Sequence, residues 1–75
     1  MDKEIKKLIA LTNKKLKKVR IAAITLTLQL ALSAFTNALA FRKFPDMQED
    51  FLKEGKDYIA LAEKIESELK RLSNR

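Results

Sequence analysis

A chain of 75 residues with one Gly, one Pro, no Cys and no His makes one domain at most and lacks the turn residues that hairpin-joined strands need. The missing Cys and His exclude disulfides, thiolate or imidazole metal sites and the commonest general base. The net charge of +6 is confined to residues 1–20, because residues 21–41 carry none and residues 42–75 balance eight basic against eight acidic side chains.

Abundant Ala, Leu, Lys and Glu lose little side-chain entropy in a helix, so the expected class is all-α, a single helical domain over residues 1–75. The first element reads as one long helix from about Asp2 to about Lys43. Thr12-Asn13 is the doubtful point, since both residues can cap. A helix starting there would put Lys14, Lys15, Lys17 and Lys18 against the positive end of its dipole. Continuity is therefore preferred, and the alternative is three helices over about 2–12, 14–43 and 47–73.

Projected with a helical period, this stretch carries two apolar stripes. One runs through Ile5, Leu8, Ile9, Thr12, Leu16, Val19, Ala23, Leu26, Leu30, Ala34 and Phe41. The other is confined to the second half, at Ile21, Ile24, Leu28, Leu32, Phe35 and Leu39. Between them lies a weakly polar strip of Thr25, Gln29, Ser33, Thr36 and Asn37.

Phe44-Pro45-Asp46 is the one strong punctuation, with Asp46 a candidate N-cap and Glu49 completing a capping-box pattern. A second helix is expected from about Met47 to about Leu72 or Ser73. Its seam reads Phe51, Gly55, Tyr58, Ala62, Ile65, Leu69 and Leu72, the heptad spacing of a helix lying along another. At 1.5 Å per residue the first helix would span roughly 60 Å and the second only about 40 Å. A hairpin would then leave the stripe of residues 5–16 bare and cover one of the two faces of residues 21–41.

That imbalance predicts association, most simply an antiparallel four-helix dimer, or burial against another protein. Ile5, Leu8, Ile9, Leu16, Val19, Leu26, Gln29, Leu30, Ser33, Asn37 and Phe41 form the candidate interface. The expected intramolecular core is Ile21, Ile24, Leu28, Leu32, Phe35, Leu39, Phe51, Tyr58, Ile65, Leu69 and Leu72.

Each feature also has a bland reading. The uncharged run Ile21–Phe41 has the length of a membrane span. Gln29, Asn37, Ser33 and three Thr offset much of its apolar gain, so a soluble bundle helix is preferred. The basic arm Lys3–Arg20 could contact anionic lipid or nucleic acid. It has no aromatic and one Arg, which disfavours nucleic acid, and a solvated outer face is the plain alternative. The strip Gln29, Ser33, Asn37 is either a recognition surface or an oligomer seam.

Catalysis is not expected. Glu63-x-x-Glu66 lacks the His of a di-metal motif, Ser33 has no base at helical spacing, and a single Gly makes no phosphate loop. Asp57-Tyr58 reads as a surface carboxylate beside a seam aromatic. No catalytic, metal or cofactor residue is assigned and no cofactor is expected. The working reading is a soluble, non-catalytic protein–protein interaction module.

The absence of Cys, His and Trp, the near-total helix formers, the Phe44-Pro45-Asp46 turn and the patterned end Glu63-Lys64-Ile65-Glu66-Ser67-Glu68-Leu69-Lys70-Arg71-Leu72 resemble a designed helical-bundle miniprotein. The resemblance implies a binder or a self-assembling bundle. The run Lys14-Lys15-Leu16-Lys17-Lys18 and the polar centre depart from that pattern. Residues 21–72, with a turn at Pro45-Asp46-Met47-Gln48, also resemble loosely the helical-hairpin co-chaperones of type III secretion needle subunits, which would imply a needle subunit as partner.

Overall fold

The computed structural model describes residues 1–74 and is all-α. Three helices pack against one another in chain order: α1 over Asp2–Lys18, α2 over Ala22–Ala40 and α3 over Pro45–Ser73. The chain reverses twice, so α1 and α3 run alongside each other and antiparallel to α2.

The expected continuous helix from 2 to 43 is corrected, and so is the alternative break at Thr12-Asn13. The chain leaves the helix at Val19 (φ −91°, ψ 135°) and re-enters after Ile21 (φ −95°, ψ 122°). Both residues are β-branched and suit extended backbone. Asp2 and Glu4 occupy the first turn of α1 and Lys15, Lys17 and Lys18 its last. The lysines that argued against a helix start at 14 thus stabilise a helix end at 18, where the dipole is negative. Thr12 does not cap. Its hydroxyl donates to the Leu8 carbonyl at 2.7 Å, which satisfies it in a fully buried position.

At the second turn the helix begins two residues earlier than expected. Pro45 is the first helical residue, Phe44 occupies the cap position, and no side-chain cap bond forms, so the Asp46–Glu49 capping box is absent. Proline suits this place because its missing N–H would have no partner there. Phe41 stacks on Phe51 (centroids 5.4 Å apart) and meets the edge of Phe44 at 6.2 Å, closing the turn.

The break resolves the surface imbalance within one molecule. Folded back, α1 delivers Ile5 into a cluster with Ala31, Phe35, Ala38 and Leu52, against which Leu8 and Ile9 also pack. Leu16 and Val19 pack against a second cluster of Ile24, Leu28 and Ala62. Ile5 is 0% exposed, so its assignment to an intermolecular interface is corrected. Leu8, Ile9, Leu16 and Val19 are half-buried against the same clusters, and the Phe41 ring is committed to the turn.

Three expected core residues lie outside. Leu69 and Leu72 are exposed because α3, with 29 residues, outruns α2, with 19, and Ile21 is exposed in the extended link before α2. The last turns of α3 have no α2 backbone opposite them. Gln48, Leu52 and Ile59 were not expected inside. They line the flank of α3 that faces α1, a neighbour a two-helix hairpin would not supply.

Gln48 joins all three helices. Its Nε2 donates to the Ala38 carbonyl at 3.0 Å and to Oδ1 of Asp2 at 3.3 Å. The Ala38 carbonyl is one of the last four of α2, which no intrahelical N–H serves, and the next turn bond goes to Leu39 instead, from the Arg42 N–H. Gln48→Leu, which keeps the side-chain bulk, should cost about 1–3 kcal/mol by orphaning that carbonyl, measured by urea unfolding.

Candidate interaction surface

The site residues divide by which way α2 turns. Ile24, Thr27, Leu28, Ala31, Ala34, Phe35 and Ala38 face inward. Thr27 is silenced by donating its hydroxyl to the Ala23 carbonyl at 2.7 Å. Outward lie Ala22, Leu26, Gln29, Leu30, Ser33, Thr36 and Ala40, all exposed, with Asn37 at the margin. Leu26 is 61% exposed and Leu30 50%, one helical turn apart. A surface helix ordinarily turns charges to solvent. α2 has none to turn, so its outer face is apolar with short polar groups.

The structure therefore separates the residues grouped as an interface in the sequence. Leu26, Gln29, Leu30 and Ser33 share one open face, whereas Ile5, Leu8, Ile9, Leu16 and Val19 belong to the interior side of α1. They looked continuous because the stripe keeps its period across Val19–Ile21, while the reversal of the chain turns the second half outward.

The flanking helices differ in charge. α1 carries seven Lys against Asp2 and Glu4, while α3 carries five basic against eight acidic residues. They pair across their shared edge, Lys56 to Glu4 at 2.8 Å and Lys15 to Glu63 at 3.9 Å. The hydrogen bond and charge of Lys56 hold the Glu4 carboxyl below its ordinary pKa. A carboxylate depressed in the folded state stabilises above its unfolded pKa and loses that contribution as pH falls through the lower, folded value. Both partners are about half exposed, so the effect is that of a screened surface pair.

A cleft of about 130 Å³ opens at the α1–α2 turn, lined by Val19, Ile24, Leu28, Ile59 and Ala62, with Lys15, Lys18, Glu63 and Glu66 at its lip. Its walls are apolar and its lip pairs charges of both signs. Ala62 is the small residue that leaves the space. Among the described residues, no group of three or more His, Cys, Asp or Glu is placed to hold a metal ion.

Comparison of the chain with protein-family models, curated proteins and solved structures finds no match. The functional reading therefore rests on the surface itself.

Proposed function

We propose that the protein is a non-catalytic helical interaction module that docks another helical protein surface on the outward face of α2. The observation that carries this reading is a charge-free helix face with Leu26 and Leu30 half or more exposed at its centre. Short polar side chains at Gln29, Ser33 and Thr36 let a second helix approach closely and set its register. The composition shared with designed binders agrees with this reading.

Magnitudes bound the strength of self-docking. Covering a half-exposed Leu contributes about 1 kcal/mol, and a two-fold contact brings four, which corresponds to association no tighter than about millimolar. Mass measured by light scattering should rise only at high concentration. Leu26→Asp with Leu30→Asp should hold the mass at that of a monomer and leave helicity and melting temperature nearly unchanged, because both positions are on the surface. Loss of the fold in this variant would show that the α2 face is interior and sink the proposal.

A second reading has its own observation. Ala22–Ala40 is long and apolar enough to cross a membrane by length and composition, with mean hydropathy 1.4 and only 39% of the span buried. Under that reading the chain is a small cationic membrane protein with residues 21–41 in lipid. Recovery solely in the membrane fraction, released by detergent and not by salt, would select it over the docking module.

A further inference from the structure

The basic arm is not absorbed by the α2 face. Projected at about 100° per residue, Lys3, Lys6, Lys7, Lys14, Lys17 and Lys18 fall within an arc of about 120°. All six are exposed; Lys3, Lys6, Lys7, Lys14 and Lys17 lie on the side of α1 turned away from α2 and α3, and Lys18 closes the ridge at the lip of the cleft. Neither carboxylate of α1 intrudes: Glu4 is held by Lys56 and Asp2 accepts from Gln48. The remaining lysine, Lys15, lies outside the arc and faces Glu63. Among the described residues no carboxylate pairs with these six ammonium groups, which run along about 22 Å of helix.

We infer that this ridge binds the surface of an anionic lipid bilayer, with the three-helix fold intact. The inference rests on the charges of α1 and stands without the docking role of α2, although the α2 face lies beside the ridge. Three observations favour lipid over other polyanions. Leu11, 46% exposed, stands beside Lys7, Lys14 and Lys18 at spacings of four, three and seven. An apolar side chain among lysines gains from the headgroup boundary and nothing from a phosphodiester strand. α1 has no aromatic to stack on bases and no Arg to grip a phosphate with two bonds, whereas Lys acts as a point charge on a diffuse negative surface. The adjoining α2 face carries no charge, so tilting the molecule onto the ridge brings Leu26 and Leu30 toward the headgroups without desolvating an ion. The excess of acid on α3 orients the protein, because that helix is repelled by the surface the ridge seeks.

The test is co-sedimentation of the whole chain with vesicles of phosphatidylcholine alone and of phosphatidylcholine mixed with phosphatidylserine. The expected result is binding to the mixed vesicles only, weakening as salt is added. Lys7→Ala with Lys14→Ala should lower the partition coefficient roughly thirtyfold, at about fivefold for each lysine, and alanine keeps the helix. Lys53→Ala with Lys64→Ala on α3 should leave binding unchanged, and circular dichroism should show the same helicity in both variants. Leu11→Ser should weaken vesicle binding while leaving adsorption to soluble polyphosphate as it was. Equal binding to both vesicle types, absence of binding, or indifference to the Lys7 and Lys14 substitutions would each overturn the inference. So would lysine-dependent binding of a mixed-sequence oligonucleotide with the vesicles left bare.

Discussion

Phe35→Ala should remove about 3–5 kcal/mol of stability, with urea unfolding followed by circular dichroism reporting a sharply lowered midpoint. Phe35 is 0% exposed and is the largest fully buried side chain. It touches all three helices, sharing a cluster with Ile5 of α1, Ala31 and Ala38 of α2, and Leu52 of α3. Truncating a buried Phe to Ala costs about 3–5 kcal/mol through lost transfer energy and the cavity left behind. For a chain of 75 residues the total is roughly 4–11 kcal/mol. Small neighbours make collapse into the void harder, because Ala31, Ala38 and Gly55 have no side chains long enough to fill it.

The partner of that ring is the glycine of α3. A Cβ added at Gly55 would lie 2.6 Å from Cδ1 of Phe35 and 2.9 Å from Cζ, and closer still to Cε1. Gly inside a helix ordinarily costs about 1 kcal/mol relative to Ala, so Gly55→Ala would be a gain if the position were open. Here the ring occupies the place of the methyl group, and overpacking of this kind costs about 1–3 kcal/mol. The net effect of Gly55→Ala is destabilising. In a Phe35→Leu background the ring is gone and the same substitution should become neutral or stabilising. A double-mutant cycle by urea unfolding should then give a coupling of at least about 1 kcal/mol between residues 35 and 55. Additive effects would show that the ring does not rest on the glycine.

Gly55 and Ala62 illustrate what was legible. Their heptad spacing with Phe51 and Tyr58 announced close approach to another helix, and both are buried. Helix content, a chain reversal beside Pro45 and the inward face of α2 at Ile24, Leu28 and Phe35 followed from composition, proline chemistry and periodicity, although the turn falls at 41–44 and not at 44–46. The break at Val19–Ile21 did not, because apolar residues continue in phase through it and neither Gly nor Pro marks it. Its one signal was electrostatic. Lys14, Lys15, Lys17 and Lys18 are a poor helix start and a good helix end, and the two readings place the break on opposite sides of them. Once the break is misplaced, the partners of α1 are misassigned with it. Its apolar stripe then looks like a demand for a second molecule, when Leu52 and Ala38 of the same chain meet it. Gln48 was invisible for the same reason, since its role needs three helix ends in one place.

Ile5→Asp is the substitution that tests this correction most directly. Ile5 is fully buried near the start of α1, against Phe35 and Leu52. Losing a buried Ile costs about 2–5 kcal/mol, and a carboxylate in its place adds the cost of burying an unpaired charge, so α1 should detach instead of tolerating it. The surface pairs Glu4–Lys56 and Lys15–Glu63 are too screened to hold it. Amide hydrogen exchange should therefore rise throughout α1 and along the face of α2 that α1 covers, with a steep drop in melting temperature. That drop should not depend on protein concentration, because the contact lies within one chain. Were α1 instead packed on a second molecule, as its bare stripe suggested, the melting temperature of the unsubstituted protein would climb with concentration and Ile5→Asp would abolish that climb. Ile9→Asp, at a half-buried position on the same face, should follow the first pattern more weakly, lowering stability without changing mass.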